Sequence, residues 1–541
     1  MENKEKKGGF FEQIQGNINP VVLEYYYGPK MKESDTSFPY LVRVMKAHVI
    51  MLKEQGIIPE EAARRLLSVM EGWGERIPTL DPSLEDLYIN LEHLITVEAG
   101  EDICSYLPVA RSRNDVEAAM WRIELREKLL YLADALLEHV EVLHRRAEET
   151  VDYIFPGYTY GQQAQPVNMG FYLSGIAAPL LRDAERILQC IERFNKNPLG
   201  AAAMSGTEYN IDRERTEELL GFEGVWEHTG DAVASADYMM EAAGIGISVL
   251  VTLARLAEDI INWCSNEAGF ADLSDDLIDS SSIMPQKRNP VICATVRSQA
   301  RLLSGRYAGI CSACSVEFQA SRDMTAAWSD VLECVETAKG MCRISAEYVK
   351  SLKFNKEVME EILYKGFSNA TELADSLVLE GKLSFRQAHR VVGGAVSELF
   401  RAGKGQDDLT WELLDGWCRE ICKKGLPLSE EQVDKAKNFR IAVERRDCQG
   451  AAAPSQVYRM LRLQKEQSGS VKRAAERKRS VWNHAEEMMH KLSLIHILSC
   501  SGRIDIDEIR LMSCQVQTQT IQMRYMRMFF SIRASQWATA F

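Results

Sequence analysis

The sequence predicts an all-α protein built around a bundle of long helices. Apolar residues between Trp121 and Arg145 recur every three or four positions, which is the spacing that one face of a long helix requires. The stretches 172–194 and 237–267 repeat this pattern. Prolines and glycines cluster between them, at 156–166, 197–206 and 281–290, and strand-like alternation is scarce. Long helices joined by such loops are typical of a helical bundle.

Helix length and composition divide the chain into four regions. Its 541 residues exceed one ordinary domain. Residues 1–115 mix short helices and turns and predict an N-terminal domain, whereas residues 116–365 carry the long helices of the central bundle. Residues 366–465 predict a small C-terminal helical domain with shorter, glycine-interrupted helices. Residues 466–541 begin with a basic run and end without caps or a clear period, so we predict a disordered tail or non-native sequence.

Composition excludes several functional classes. With 46% hydrophobic and 26% charged residues, the chain has an ordinary soluble globular composition. The net charge of −14 argues against general nucleic-acid binding through phosphate contacts, although a site for an anion needs only local positive charge. The longest apolar run, Ala242 to Ala254, is too short to span a bilayer, and we expect it to lie in a buried helix instead of a membrane.

The cysteines and the N-terminal residues indicate the cellular compartment of the protein and whether it has a metal site. The segment 1–13 is charged and lacks the apolar core of a signal peptide. The thirteen cysteines show no disulfide framework, and no second CxxC or nearby histidine pair joins Cys311 and Cys314 to complete a zinc site. We therefore predict a cytoplasmic protein with reduced thiols and with neither a metal nor an organic cofactor.

The ten residues of Ser281–Pro290, SSIMPQKRNP, form the most informative stretch, and we call them the signature loop. Ser281 or Ser282 can act as a base if its pKa is lowered, Lys287 can neutralise a substrate carboxylate, and Asn289 can hold a carboxylate oxygen. Removal of a proton from the carbon beside a carboxylate needs such electrostatic help, because the carbanion is otherwise too unstable. The alternative is a surface turn with a solvated Lys-Arg pair.

The signature loop closely resembles that of the fumarase, aspartase and argininosuccinate lyase superfamily, and its MPQK-x-NP form is most similar to the argininosuccinate lyase branch. Further segments share the resemblance: ARSRND at 110–115, GYTYGQQAQPV at 157–167, NPLGAAAMSGTEYNIDRE at 197–214 and GFSNATELADSLV at 366–378. It covers roughly residues 8 to 465. The family's fold is a long-helix bundle with smaller terminal helical domains, as the periodicity predicts.

The resemblance implies roles for two of these segments. Arg113 can grip a carboxylate with two parallel hydrogen bonds, and the family binds a substrate carboxylate with the residues that correspond to Ser112, Arg113 and Asn114. A helix cap by Asn114 or Asp115 is the structural alternative. In the GYTYGQQAQP segment, Thr159 corresponds to a substrate contact and Gln165 follows it toward a helix, although turn chemistry explains an isolated Thr or Gln equally well.

Within the signature loop, the resemblance assigns Ser281 as the catalytic base, Lys287 as the group that stabilises the anion, and Asn289 as a carboxylate ligand. Ser282 and Met284 are predicted to contact substrate. A serine cannot serve as a base unaided, and removal from water beside Lys287, at a helix N-terminus, would favour its alkoxide. The implied reaction is an anti β-elimination that releases fumarate and an amine. The family builds each site from three chains of a homotetramer, so we expect the clusters to lie far apart within one subunit.

The chain departs from the family pattern at an acid–base pair. The family usually has histidine after the threonine of the GYT motif and glutamate five positions beyond the signature asparagine, but this chain has Tyr160 and Ala294. A phenol is a competent acid, so Tyr160 can donate a proton to the leaving nitrogen, with a packed tyrosine as the alternative. His228 is a second candidate acid, and a structural role is its alternative.

A second group of departures concerns the amine side of the substrate. Positions at which the family contacts the arginine part of argininosuccinate hold Ala320, Thr325 and Trp328, an early substrate-contacting serine corresponds to Met45, and the histidine before ARSRND is Pro108. A site built to bind a guanidinium is not apolar at so many positions. The fumarate-forming half is therefore retained, while the amine-recognising half is changed.

These observations predict a carbon–nitrogen lyase of amino-acid metabolism that cleaves argininosuccinate, as in arginine biosynthesis, or another N-substituted aspartate. An aminopolycarboxylate of the ethylenediamine disuccinate type is one alternative substrate. A catalytically silent homologue, like the lens crystallins of this family, is the alternative from another class, and a fumarase or adenylosuccinate lyase fits less well. The expected partners are a small dicarboxylate and further copies of the chain in a homotetramer.

Overall fold

The computed structural model describes residues 18–29, 31, 35–73 and 78–498. Helices dominate this part of the chain, as predicted. The first six are α1 Pro20–Val22, α2 Phe38–Glu54, α3 Glu60–Glu71, α4 Leu87–Ala99, α5 Glu101–Cys104 and α6 Arg113–Glu149. The next six are α7 Met169–Phe194, α8 Arg213–Leu220, α9 Thr229–Ala234, α10 Asp237–Trp263, α11 Val291–Ala313 and α12 Arg322–Ser351. The last seven are α13 Lys356–Lys365, α14 Ala370–Leu379, α15 Phe385–Arg401, α16 Trp411–Cys422, α17 Glu430–Lys437, α18 Phe439–Arg445 and α19 Pro454–Leu498.

Three short antiparallel pairs of strands interrupt the helices. β1 Ile154–Thr159 pairs with β2 Gln162–Asn168 in a hairpin, β3 Ala271–Asp272 pairs with β6 Lys353–Phe354, and β4 Asp279–Ser280 pairs with β5 Arg288–Asn289. The hairpin turn consists of Tyr160 and Gly161, both with positive φ, at 54° and 72°. Such a turn matches the twist of the flanking strands. The turn at 156–166 predicted from proline and glycine is thus the centre of a β-hairpin.

The bundle forms because its long helices bury their periodic apolar faces against one another. Helices α6, α7, α10, α11 and α12 pack together, and their buried side chains belong to one continuous core. Gly246 permits a close approach between α10 and α12, since a Cβ atom there would lie 2.7 Å from the carbonyl oxygen of Cys334. A larger residue would push the two backbones apart.

Helix α10 contains the apolar run Ala242–Ala254 and lies inside this bundle, as predicted. Among the described residues, it is the one helix whose length and apolar composition would allow it to cross a membrane. Of its most apolar window, 56% is buried inside the structure. Packing against α7, α11 and α12 accounts for its apolar composition.

The core extends beyond the central region. Buried residues between Met31 and Ala110 join the same core as the bundle, whereas a separate cluster between Leu373 and Ala436 holds α14 to α17 together. The divisions near residues 115, 365 and 465 stay predictions.

Over residues 466–498, the structure differs from the predicted disordered or non-native tail. These residues continue α19, a helix of 45 residues that packs against α3, α7 and α8. Val471, Ala475 and Trp482 are buried on one face, while the charged residues Lys472, Arg473, Glu476 and Arg477 are exposed. The high charge of this segment therefore belongs to the solvated face of an amphipathic helix. The rest of the expected tail, 499–541, lies outside the described residues.

Candidate active site

The ARSRND segment forms the N-terminus of α6. Ser112 is the N-cap, and its backbone N–H donates to Asp115 Oδ1 at 2.9 Å in a capping box. Asp115 Oδ2 also accepts from the backbone N–H groups of Gly200 and Ala202, at 3.0 and 2.9 Å. Burial raises the pKa of Asp115 to about 6, although these backbone hydrogen bonds act in the opposite direction. The predicted cap thus exists, with Ser112 as the capping residue, and it joins the 197–206 loop to the helix.

Arg113 and Asn114 project from this helix start. The Arg113 guanidinium donates to Asp86 Oδ2 at 2.8 Å and lies 3.8 Å from Glu85, with about a third of its side chain exposed. Asn114 Nδ2 donates to the carbonyl oxygen of Ala203 at 3.0 Å. Asp86 therefore orients a cation that faces a cavity.

This cavity has a volume of about 180 Å³, and we call it the arginine cavity. Arg113 and Asn114 line it together with Ala320, which precedes α12, and with Arg322 and Thr325 at the start of α12. A second cavity of about 900 Å³ shares Asp86, Glu117, Trp121, Arg322 and Thr325 with the first. The two cavities adjoin at these residues, and we call them together the cleft, which is large enough for a substrate with a substituent.

Two of the positions aligned with amine contacts, Ala320 and Thr325, therefore lie in the arginine cavity. Trp328 lines the larger cavity, where its ring stacks on Trp121 with the centroids 5.2 Å apart. Met45 does not fit the role that alignment assigned to its position, because it is fully buried in the core. Among the described N-terminal residues, those that line the larger cavity are Tyr26, Pro29, Thr36, Ser37 and Leu41.

The signature loop lies between β4 and β5. Ser281 is half-buried, and its Oγ accepts hydrogen bonds from the backbone N–H groups of Ile283 and Met284, at 3.4 and 3.1 Å. The expected helix N-terminus is not beside Ser281, because α11 begins at Val291. The two backbone donors of the loop itself can stabilise an alkoxide in its place.

The other predicted residues of the loop are solvent-facing. Ser282 and Lys287 are exposed, Met284 is 36% exposed, and the backbone N–H of Lys287 donates to the Met284 carbonyl oxygen at 3.1 Å. Asn289 is half-buried, and its Nδ2 donates to the Asp279 carbonyl oxygen at 3.1 Å. The loop presents its serines and its lysine at a surface.

The β1–β2 hairpin carries Thr159, Tyr160 and Gln165, all of which are exposed. Tyr160 is fully exposed at the turn. Gln163 holds the hairpin in place, because its side chain bonds Ser368 Oγ at 2.9 Å and the carbonyl oxygen of Ile362 at 3.0 Å. Gln163 was not among the predicted residues.

His228 has a structural role in the described chain. It is the N-cap of α9, and its Nδ1 accepts from the backbone N–H of Asp231 at 3.1 Å. That hydrogen bond uses the lone pair that a proton would occupy, which favours the structural interpretation over the catalytic one.

These groups lie at two opposite ends of the bundle. Helix α6 has 37 residues and is therefore roughly 55 Å long, at about 1.5 Å per residue. Arg113 lies at its start, and the hairpin with Thr159 follows its end. Helix α12 runs parallel to α6, with Lys128 3.2 Å from Glu336 and Arg146 2.5 Å from the Leu352 carbonyl oxygen. The start of α12 thus joins Arg113 at what we call the arginine end.

The signature loop lies at the other end, which we call the serine end. The Phe155 ring of the hairpin lies 6.1 Å from Trp263, at the end of α10, and 6.5 Å from Phe270. Arg288 of the loop bonds Asp275 at 2.7 Å, which ties the loop to the chain just after Phe270. The structure therefore brings Thr159, Tyr160 and Ser281 to one end, and leaves Arg113 at the opposite end of the same chain.

Several cavity residues were missed from sequence. Glu117, Trp121 and Arg122 follow Arg113 at helical spacing and line the same cavity, as do Asp86, Ser235 and Tyr238. The four-residue spacing from Arg113 to Glu117 and Trp121 is a signal that a helical projection of α6 would have revealed. Within the described ranges, no cluster of three or more His, Cys, Asp or Glu side chains is arranged to hold a metal ion.

Comparisons with known proteins agree with this geometry. A lyase family model matches residues 83–305, and an argininosuccinate lyase C-terminal model matches residues 367–449. Argininosuccinate lyase of Methanosarcina acetivorans is 34% identical over 433 residues, covering 80% of this chain and 87% of the relative. That of Methanosarcina mazei is 35% identical over 421 residues, covering 77% and 85%.

Among solved structures, a variant of EDDS lyase with bound fumarate superposes with a TM-score of 0.81 at 27% identity, covering 91% of this chain and 98% of that one. The fold, the two matched models and the identity over most of the chain agree. The chain belongs to the argininosuccinate lyase family of the fumarase/aspartase superfamily and is a carbon–nitrogen lyase.

Proposed function

We propose that the protein releases fumarate and an amine from an N-substituted aspartate by anti β-elimination. Ser281 removes a proton from Cβ of the aspartate part, and the electron pair forms an aci-carboxylate that Lys287 stabilises. The pair then forms the Cα–Cβ double bond as the Cα–N bond breaks, and Tyr160 gives the departing nitrogen a proton. The observation that carries this proposal is the pair of backbone N–H groups aimed at Ser281 Oγ.

Carboxylate binding falls to residues from both ends. Arg113, with Ser112 and Asn114, holds one carboxylate, and Asn289 and Thr159 hold the other. Ser282, Met284 and Gln165 complete the substrate contacts. Because α6 separates Arg113 from Ser281 within one chain, we propose that each site is assembled from different copies of a cytoplasmic homotetramer.

Two substrates fit this chemistry. Argininosuccinate would place the enzyme in arginine biosynthesis, and the identity to argininosuccinate lyases supports it. An aminopolycarboxylate is the second candidate, supported by the structural similarity to EDDS lyase and by Ala320 and Trp328 at the amine side of the cleft. At these two positions, neither an alanine nor a tryptophan side chain can accept a hydrogen bond from a guanidinium.

Fumarate absorbance tests the proposal directly. We expect the signal to fall when the protein is incubated with fumarate and a suitable member of a panel of amines that includes arginine and ethylenediamine derivatives. Argininosuccinate tested in the opposite direction should raise the signal if it is the substrate. A constant signal with every amine and with argininosuccinate would favour a catalytically silent homologue.

A further inference from the structure

The signature loop ends in β5, and a pairing of only two residues with β4 closes it. In this pairing, Asp279 lies opposite Asn289 and Ser280 lies opposite Arg288. The chain between the two strands is largely exposed, up to 82% at Ile283. An isolated two-stranded hairpin is marginally stable at best in water, so so short a pair does not fix the residues that it carries. The loop therefore needs a contact from outside the hairpin.

The side chain of Arg288 makes such a contact. Its Nη1 donates to Asp275 Oδ1 at 2.7 Å, and its Nη2 donates to the carbonyl oxygen of Leu273 at 2.9 Å. Nη2 also lies 3.3 Å from Asp272 Oδ2. Within the part of the chain that the structure describes, no other side chain of the loop forms a hydrogen bond or an ion pair beyond the hairpin. One guanidinium thus joins β5 to the segment 272–275.

The segment that receives Arg288 is fixed to the body of the protein. Leu273 is 2% exposed and belongs to the main core, and Asp272 lies in β3, which pairs with β6 just after α12. The three charged side chains, Arg288, Asp272 and Asp275, are each at least 45% exposed, so their ion pairs alone contribute little. The bond to the Leu273 carbonyl oxygen is stronger evidence of a fixed position, because the side chain of its acceptor residue is packed in the core.

The neighbours of Arg288 in the sequence are two residues that the proposed elimination uses, Lys287 and Asn289. Among the described residues, the Lys287 ammonium has no ion-pair partner. Asn289 Nδ2 donates to the Asp279 carbonyl oxygen at 3.1 Å, which is a contact within the hairpin. A misplacement of about 1 Å can lower a catalytic rate by about 100-fold. Because Arg288 is bonded to its two neighbours through the backbone, its contacts restrict the positions that both can adopt.

We propose that Arg288 clamps the signature loop to the segment 272–275 and thereby positions Lys287 and Asn289 for the substrate. This inference rests on the proposed function, in which those two residues stabilise the anion and hold a carboxylate. Arg288 is a positioning residue, because its own guanidinium is occupied by contacts within the chain and acts on the substrate only through its neighbours.

Hydrogen exchange measured by mass spectrometry tests the clamp without any turnover. Arg288→Met keeps an unbranched side chain but cannot donate a hydrogen bond, so the amide hydrogens of residues 279–290 should exchange about tenfold faster or more. Arg440→Met is the matched control, because Arg440 is 48% exposed and also bonds a carboxylate and a carbonyl oxygen, those of Glu360 and Asp152. It should leave exchange in residues 279–290 unchanged. Equal exchange of this segment in wild type and in Arg288→Met would overturn the clamp.

The kinetics of amine addition to fumarate test the consequence for catalysis. Arg288→Met should lower kcat by about tenfold or more and leave the thermal midpoint unchanged, because the loop is displaced while the core keeps its contacts. Arg288→Lys should recover part of the lost kcat, since an ammonium can still pair with one carboxylate. A kcat of Arg288→Met equal to that of Arg440→Met, or no recovery in Arg288→Lys, would contradict the positioning role and leave the proposed function intact. Absence of turnover of the wild-type protein with every amine would overturn the proposed function and, with it, the catalytic role of Arg288.

Discussion

The arginine end and the serine end of the bundle are built in different ways. At the arginine end, Arg113 is held by Asp86, and Asp115 is buried beneath backbone N–H donors. At the serine end, Tyr160 is fully exposed and Ile283 of the signature loop is 82% exposed. One end presents a pre-ordered guanidinium beside a cavity, and the other presents Ser281, the proposed base, and the Lys287 ammonium on a surface loop. The comparison teaches that neither end of one chain has all the groups that the proposed elimination uses.

Loss of the base should have the largest effect. We expect Ser281→Ala to lower kcat by about 10³-fold or more, since general-base catalysis contributes roughly 10²–10⁴-fold. Initial rates from fumarate absorbance measure this. Ser282→Ala is the matched control with a much smaller loss, and circular dichroism should show the same helicity in both. A fully active Ser281→Ala protein would remove Ser281 as the base.

Tyr160→Phe should come next, with kcat lowered by about 10²-fold if its phenol donates the proton. The thermal midpoint of the isolated subunit should not move, because the ring has no cover in the described chain. Tyr158→Phe, two residues earlier in β1, is the control. Unchanged kcat in Tyr160→Phe would leave the general acid to another residue.

At the arginine end, Arg113→Lys should lower kcat/KM by about 10- to 100-fold, because an ammonium cannot form the two parallel bonds of a guanidinium to a carboxylate. Steady-state kinetics with varied substrate give the value. Arg65→Lys makes the same change at an exposed position of α3 that lines neither cavity, and it should retain wild-type kinetics. A kcat/KM of Arg113→Lys equal to that of the wild-type protein would exclude a bidentate carboxylate contact.

The smallest expected effect concerns the bundle between the two ends, whose stability should depend on pH. Burial lowers the pKa of His139 to about 3. Its unfolded-state pKa is about 6.5, so between pH 6.5 and pH 3 only the unfolded state binds the proton. Stability should therefore fall as pH falls, by about 1.4 kcal/mol per pH unit from this residue. Thermal midpoints at pH 7 and pH 5 should differ less in His139→Gln than in wild type, and equal differences would contradict this prediction.

Sequence patterns predicted the long helices because their physical cause is local. Six apolar residues between Leu125 and Leu143 recur on one face, and the structure buries all of them in α6. The same reasoning did not predict the second half of α19, because the apolar residues of its buried face are few among the charged residues of 471–480. The β1–β2 hairpin was not predicted, because its turn depends on the positive φ of Tyr160. The periodicity of side chains does not reveal the sign of φ.

The sequence shows the motifs of the candidate site, but it does not show which groups the fold brings together. Arg113 and Ser281 stand in recognisable motifs, but no pattern in the sequence shows that α6 separates them. Arg122 and Ser235 are 113 residues apart and meet only through packing. Whether the two ends meet in an assembly depends on contacts between copies, which one chain does not specify.

Mixing two inactive variants tests most directly whether each site unites the arginine end of one copy with the serine end of another. Arg113→Ala and Ser281→Ala are unfolded together in equal amounts and refolded, and fumarate formation is compared with each variant refolded alone. Random assembly should leave roughly one site in four with both residues intact and restore a corresponding share of wild-type activity. No activity in hybrid oligomers, verified by differently tagged subunits, would contradict the shared site.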